Sequence, residues 1–359
     1  MSGTIKLDVI KVVQPIGTIY VAKISPNVLL EMSKVDRRRI EDDDEVLGVQ
    51  RELRRDKVIQ INKYLSSVDA TFPNSIIVNT TSACIVNESE TELEIKTNED
   101  AFTIIDGQHR VEGFRDIEVK NFELIVAIFK DLKIDQQANI FSTINSQQTK
   151  VDPSLNLHLE INNKVYTPKK MMIEVAQSFC LDPKSPWFNE IRILGRQTSG
   201  IISLSAFVKP LLNLTYPEQD YHLIRNRLME SKDADLGEFK YDMKRYLFWT
   251  FYLRKDQESV FKILLNYFEA LALILDKDWL NQKSLLNKTT GYNAIIKLFK
   301  DYAEIGVKEK KLTYEFFFEK LKGLSVMNGT INSSNFGASG SKASNELYYE
   351  MKKTLTNKN

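Results

Sequence analysis

Five consecutive residues bring together most of the groups in this sequence that can do chemistry. Residues 106–110 place a carboxylate, an amide, an imidazole and a guanidinium around one glycine, in the order Asp-Gly-Gln-His-Arg. The guanidinium of Arg110 can hold two phosphate oxygens at once, and Asp106 or His109 can move a proton or orient a metal-bound water. The motif therefore predicts phosphate binding or hydrolysis. The alternative is a solvated polar turn in which His109 caps a local group.

The residues on either side of the motif predict the elements that position it. The apolar residues within 102–105 indicate the end of a strand, and Val111 with Phe114 indicates the first turn of a helix. Gly107 favours a tight turn between them because glycine tolerates positive φ. A strand, a glycine turn and a helix present backbone N–H groups and the positive end of a helix dipole to an anion. Gly107 and Gln108 therefore belong to the predicted phosphate site.

The pentapeptide DGQHR names the DGQHR-domain family, and this chain resembles that family. Two further segments fit it, VQREL at 49–53 and INSQQTKV at 144–151, and the resemblance covers residues 10–215 well. The motif is also similar to the active turn of the ParB/sulfiredoxin superfamily, which binds nucleotide phosphates, and to the DGQQR turn of nucleotide-hydrolysing modules in modification-dependent restriction systems. The best-known DGQHR proteins lie in bacterial DNA phosphorothioation gene clusters, as the "B" regulatory component.

The resemblance assigns roles to individual residues. For an enzyme, the catalytic residues would be Asp106 and His109, with no metal ligands predicted. The predicted nucleotide- or phosphate-binding residues are Gln50, Arg51, Gly107, Gln108, Arg110, Asn145, Gln147, Gln148 and Lys150. The cofactor is unassigned; a nucleotide with Mg²⁺ is the candidate.

A one-sided helical pattern gives Arg51 a further reason to be at the site. Residues at helical spacing from 51 to 65 form one stripe whose C-terminal half is apolar, so Arg51 and Arg54 are predicted to point inward. An inward guanidinium requires an anionic partner. For both arginines the alternatives are Asp106 or another acid as partner, or an outward, snorkelling side chain. For Arg51 the resemblance favours the anion held at the motif.

Downstream of the motif, residues 134–148 predict a helix that ends in an amide-rich patch followed by Lys150. Amides with one lysine can read a nucleobase and its phosphate, or base edges in a DNA groove. The alternative is a polar helix end, with Lys150 at the negative end of the dipole. The resemblance favours the ligand contact.

Composition limits how the chain can bind nucleic acid. The 359 residues include 49 Lys+Arg and 48 Asp+Glu, a net charge of +1. DNA binding would therefore come from a local patch, for which Arg37–Arg39, Lys150 and the lysine-rich stretches of the C-terminal half are candidates. Two cysteines and three histidines without metal-ligand spacing argue against a zinc site. With no signal-peptide pattern and no membrane-spanning stretch, we expect a cytoplasmic protein without a membrane partner.

The predicted fold class is α+β. Residues 1–150 are expected to form a mixed-sheet domain resembling the ParB/sulfiredoxin type, and residues 151–359 an α-helical half with a Gly/Ser-rich loop at 328–344. Helices are predicted at 203–209, with Ser203 as N-cap, and at 238–253, among others. The aromatic helices of this half are expected to form core or an oligomer interface.

Three function classes follow. The first is a DNA-binding regulator of a DNA-modification or phage-defence cluster, whose DGQHR pocket binds a nucleotide or DNA phosphate. The second is a nucleoside-triphosphatase or nuclease of a modification or restriction system, and the third is a protein-interaction scaffold. The implied partners are DNA, a nucleotide, other proteins of the modification system and, through an aromatic interface, further copies of the chain.

Overall fold

The computed structural model describes residues 3–35, 39–40, 46–47, 53–117, 121–147, 153–161, 165–193, 200–231, 234–337 and 340–356. The chain divides into two compact units, residues 1–150 and 151–359. The first unit contains a mixed sheet and the second is mainly helical, so the predicted α+β class is confirmed.

The first unit is built on an eight-stranded sheet. Its strands follow the order β3-β9-β6-β10-β2-β1-β8-β7, in which β3 pairs with β9 and β6 with β10 in parallel, and the other neighbours are antiparallel. The short strands β4 and β5 pair separately. The strands are β1 (Thr4–Gln14), β2 (Gly17–Ile24), β3 (Ser33–Val35), β4 (Arg39–Ile40), β5 (Val46–Leu47), β6 (Ile76–Thr80), β7 (Ile85–Glu88), β8 (Glu92–Lys96), β9 (Phe102–Asp106) and β10 (Leu124–Lys130).

Helices cover both faces of the sheet around β9. The described part of the first unit has two hydrophobic cores. Ile104 belongs to the larger of them, against which the partly buried Ile61 packs. Ile105, the next residue of the strand, belongs to a smaller core with Phe141. Successive strand residues point to opposite faces, so β9 is packed on both sides. The helices of this unit are α1 (Pro26–Glu31), α2 (Arg55–Leu65), α3 (Gln108–Glu112) and α4 (Ile134–Gln147).

The second unit is a set of helices around an aromatic core. Buried rings such as Trp187, Phe207, Phe268 and Tyr292 contact one another. The aromatic helices therefore supply core. The elements are α5 (Pro153–Glu160), α6 (Pro168–Leu181), the short parallel pair β11 (Ile191–Arg192) and β12 (Ile202–Ser203), α7 (Leu204–Leu212), α8 (Tyr221–Glu230), α9 (Trp249–Leu253), α10 (Gln257–Ile274), α11 (Thr289–Glu309), α12 (Tyr314–Leu321), α13 (Ser333–Phe336) and α14 (Gly340–Thr356), with 3₁₀ turns at Glu218–Asp220 and Lys322–Met327.

Most helix predictions hold, and Ser203 caps α7 as expected by accepting a hydrogen bond from the Ala206 N–H. The predicted helix 238–253 is wrong over most of its length, because only Trp249–Leu253 is helical. The Asp242 side chain accepts a hydrogen bond from the Lys244 N–H at 3.0 Å. Such a local bond offers the backbone a turn in place of the helix.

The predicted Gly/Ser-rich loop at 328–344 is also corrected. It contains α13 and the start of α14. The Asn332 side chain caps α13 by accepting from the N–H groups of Ser334 and Asn335, and Ser344 is buried. Polar and small residues here cap and pack helices, so composition alone misled the prediction. None of the helices in the described part of the chain is long and apolar enough to cross a membrane.

Candidate functional site

The motif has the predicted strand, glycine turn and helix. Strand β9 ends at Asp106, Gly107 has φ +99°, and α3 begins at Gln108. A Cβ atom at position 107 would lie 2.6 Å from Ile76 Cδ1 and 3.1 Å from Arg110 Nη2. Glycine is therefore required here both for its positive φ and for the space it leaves.

Arg110 and Asp106 pair with each other inside the motif. Arg110 Nη2 donates to Asp106 Oδ2 at 2.9 Å and to the Ser75 carbonyl at 3.1 Å, and Nη1 donates to the Asn74 carbonyl at 2.7 Å. Both side chains are mostly buried, with exposures of 19% and 22%. The guanidinium therefore ties the motif to the loop before β6, and three of its five N–H donors are used within the protein.

His109 is held in one tautomer by the backbone of another element. Its Nε2 accepts a hydrogen bond from the Arg54 N–H at 3.1 Å, so the neutral ring carries its proton on Nδ1. Burial lowers the pKa of His109 below its ordinary value, and the positive charges of Lys57 and Arg54 lower it further. The imidazole is therefore neutral at physiological pH.

The motif forms one wall of a cleft of about 870 Å³ in the first unit. Lys57 of α2 contributes a cation, and Phe72 and Phe141 contribute aromatic surface from the loop before β6 and from α4. Lys57 makes no ion pair with any residue that the structure describes. The full lining is Lys57, Phe72, Pro73, Asn74, Ser75, Ile77, Ile105, Asp106, Gly107, Gln108, His109, Arg110, Phe141 and Ile144.

The structure brings together only part of the predicted site. All five motif residues line the cleft, as does Ile144, the first residue of the downstream segment. Asn145 and Gln147 belong to the last turn of α4, but their side chains lie outside the described part of the structure. The predicted site residues Gln50, Arg51, Gln148 and Lys150, and the basic residues Arg37 and Arg38, lie outside it altogether; Arg39 is described only as part of β4.

The prediction that Arg54 points inward is wrong. Arg54 precedes the first residue of α2, so the helix begins about one turn later along the chain than the pattern suggested. Its side chain is 62% exposed and pairs with Asp56. Sequence reasoning also missed Lys57 and Phe141. Lys57 directly precedes Val58, a residue of the apolar stripe of α2. That position next to the stripe could have indicated that Lys57 lies near the motif.

The carboxylates nearest the motif are each paired with an arginine. Asp106 holds Arg110, and Glu112 accepts from Arg115 Nε at 2.6 Å. Among the residues that the structure describes, no three acidic, histidine or cysteine side chains cluster as metal ligands would.

One comparison with known proteins gives a match. Residues 7–184 match the model of the DndB family, described as DNA-sulfur modification-associated. No significant match was found among curated proteins or among solved structures. The matched residues include β9, α3 and every residue that lines the cleft. The closer resemblances, to the DGQHR and ParB/sulfiredoxin types, stay predictions. The match shows that residues 7–184, just under half of the chain, are similar to this DNA-sulfur modification-associated family.

Proposed function

We propose that this protein is a non-catalytic, DNA-binding regulator of a DNA sulfur-modification system, and that the cleft at the motif binds a nucleotide or DNA phosphate. The observation that carries the proposal is the pairing of Asp106 with Arg110. This pairing means that the carboxylate of the motif stabilises the fold by holding Arg110. The similarity of residues 7–184 to a DNA-sulfur modification-associated family supports the choice of a DNA sulfur-modification system.

The other motif groups also favour binding over catalysis. Asp106 already accepts from a guanidinium through Oδ2, so a Mg²⁺ ion or a water at this carboxylate would have to share it with Arg110. The Nε2 of His109 is occupied by the Arg54 N–H, which leaves Nδ1–H as a donor. A neutral imidazole donor suits recognition of a phosphate oxygen.

The cleft has the size and lining of a nucleotide site. Its 870 Å³ falls within the range of about 300–1,000 Å³ that is typical of ligand pockets. Lys57 offers an uncompensated positive charge, and Phe72 and Phe141 offer apolar surface for a base. The resemblance also assigns phosphate and base contacts to Gln50, Arg51, Asn145, Gln147, Gln148 and Lys150.

Calorimetric titration with ATP, GTP and CTP, with and without Mg²⁺, tests the binding proposal. Lys57→Gln should weaken binding about tenfold, because a charge-assisted contact is worth about 1.5–3 kcal/mol. Lys63→Gln is the matched control, since it removes an exposed lysine of the same helix that does not line the cleft. Absence of heat and of a thermal shift with every nucleotide would refute a nucleotide site.

DNA binding has its own test. Each phosphate contact adds a slope of about −0.9 to log K against log salt on duplex DNA. A slope near zero would favour a protein-interaction scaffold.

The catalytic alternative retains one favourable observation, since Asp106 and His109 line the same cleft. Asp106→Asn separates the two functions. A parent protein that turns over nucleotide, together with a stable but inactive variant, would establish an enzyme. A parent without turnover and a destabilised variant support the regulator.

A further inference from the structure

A second cleft lies in the helical unit, outside the residues that match the family model. It has a volume of about 470 Å³. One wall is α11, and the opposite wall is formed by the end of α7, the segment 214–219, and residues Arg245 and Tyr246. The structure therefore holds a formed cavity whose role neither the motif nor the family match addresses.

One polar stripe of α11 faces this cleft. Asn293, Lys297 and Lys300 follow at intervals of four and three residues, so they lie on the same side of the helix. Ile296, which is buried, lines the cleft beside them. Arg245 adds a third cation from the opposite wall. Three amides, Asn213, Gln219 and Asn293, also line the cleft.

These cations lack the acidic partners that other cations of the unit have. Arg227 pairs with Glu238, Lys308 with Glu304 and Lys352 with Asp301. Arg245 and Lys300 form no ion pair within the described part of the chain. Lys297 Nζ donates to a neutral amide, Asn345 Oδ1, at 2.5 Å, which orients the ammonium without neutralising it.

Glu218 is the one carboxylate that lines the cleft among the described residues, and it lies near further cations. A small adjoining cavity shares Asn213, Tyr216 and Glu218 with the cleft and adds Lys169 and Lys209. Lys169 lies 3.5 Å from the centre of the Tyr221 ring; burial lowers its pKa, while the negative charges of Glu160 and Glu218 partly oppose that effect. The negative charge of Glu218 therefore also acts on Lys169, and among the described residues no ion pair joins Glu218 to any of the three cations of the outer cleft.

We propose that this cleft binds the phosphate group of a nucleotide, supplied either as a free nucleotide or as a unit of a DNA strand. Three cations and three amides around a 470 Å³ cavity match the charge and hydrogen-bonding needs of a phosphate ester. In a chain of net charge +1, such a concentration of unpaired positive charge costs folding stability, and an anionic ligand relieves it. The site is separate from the motif cleft and does not depend on the function proposed there.

The test uses the full chain carrying Lys57→Gln, so that the motif cleft does not dominate binding. The probes are dAMP, followed by calorimetry, and a fluorescent single-stranded polythymidine, followed by anisotropy over a salt series. Arg245→Gln with Lys300→Gln is the test variant, and Lys308→Gln is the control, because it removes an exposed lysine of α11 outside the cleft.

We expect the test variant to raise Kd at least tenfold and to reduce the salt slope for the oligonucleotide by about 0.7 for each lost contact. An effect on both probes identifies a site that accepts free nucleotide; an effect on the oligonucleotide alone identifies a DNA backbone site. If the test and control variants bind alike, or if the parent binds neither probe, the proposal is overturned. A loss of nucleotide binding caused by Lys57→Gln in the natural chain would concern only the binding proposed for the motif cleft.

A measurement without substitution guards against misfolding of the variant. Lysine-reactive labelling of the natural chain, read by mass spectrometry, should show Lys297 and Lys300 protected by the bound probe while Lys308 stays reactive. Equal labelling of all three lysines with and without saturating probe would contradict the proposal.

Discussion

The two clefts of this protein use charged residues in opposite ways. In the motif cleft, Arg110 is held by Asp106 and by the carbonyls of Asn74 and Ser75, so its charge is satisfied by the fold. In the helical cleft, Arg245 and Lys300 face the cavity without an ion pair among the described residues. The recognisable motif thus contributes much of its charge to structure, whereas residues outside any motif keep theirs available.

The difference teaches that a chemically rich motif need not be a catalytic one. A charged side chain that satisfies a partner within the fold stabilises the protein, and its loss exposes an unpaired group. A charged side chain without a partner contributes little stability and is free for a ligand. Stability measurements on matched variants can therefore tell the two clefts apart before any ligand is known.

The largest expected effect comes from breaking the pair in the motif. Asp106→Asn should lower the free energy of unfolding by about 2 kcal/mol, less than the ~3–5 kcal/mol of a fully buried pair because about a fifth of each side chain is exposed. Asp56→Asn, which breaks the solvent-exposed pair with Arg54, should cost much less, because water and salt screen an exposed pair. Urea denaturation of both variants measures the difference; equal losses would show that the motif pair has no special structural role.

Gly107→Ala should rank next, at about 1–3 kcal/mol, because the new Cβ meets Ile76 in a backbone conformation that alanine rarely adopts. Gly340→Ala is the matched control. It has nearly the same φ, +96°, but nothing lies within 4 Å of the added Cβ. The excess loss at position 107, from thermal unfolding of both variants, isolates the steric contact. No excess would mean that Ile76 moves aside freely.

The sequence predicted the elements of this site that are close together in the chain, but it did not predict the contacts that join Arg110 to distant residues. The strand, turn and helix around Gly107 are local and were predicted correctly. The Arg110–Asp106 pair is also local, at i and i+4, yet the motif suggested an outside ligand for Arg110. Arg110 is instead bound by the carbonyls of Asn74 and Ser75. The loop that contains them lies next to the motif because β6 pairs with β9. Local spacing does not reveal that contact.

The helical cleft was beyond prediction for a similar reason. Arg245 and Lys300 come from segments more than fifty residues apart, and neither lies in a lysine-rich run that would draw attention. By contrast, the apolar positions of α8, Tyr221, Ile224 and Leu228, recur at i, i+3 and i+7. That periodicity was sufficient to predict the helix and was overlooked.

A pH titration sharpens the view of the motif cleft. The pKa of His109 is lowered from 6.5, first by burial and then by Lys57 and Arg54. The folded protein therefore binds the proton more weakly than the unfolded chain, so the contribution of His109 to stability is present above about pH 6.5 and is lost as the pH falls below it. Thermal unfolding between pH 8 and pH 5 should show this loss in the natural chain and a weaker one in His109→Gln. Parallel curves would show that His109 does not titrate differently on folding.

The smallest expected effect on stability belongs to the helical cleft, and it completes the contrast with Asp106. Lys300→Gln removes a charge that has cationic neighbours and no acidic partner among the residues that the structure describes. It should therefore leave the free energy of unfolding unchanged or raise it by a few tenths of a kcal/mol. Because the gain comes from relieved repulsion, it should shrink as added salt screens the cleft. Lys308→Gln, which breaks an ion pair with Glu304 on the same helix, should change stability in the opposite direction, by about 0.3–0.5 kcal/mol. A clear destabilisation by Lys300→Gln would mean that this lysine has a partner within the fold. The charge of Lys300 would then stabilise the protein, as the charge of Arg110 does in the motif cleft.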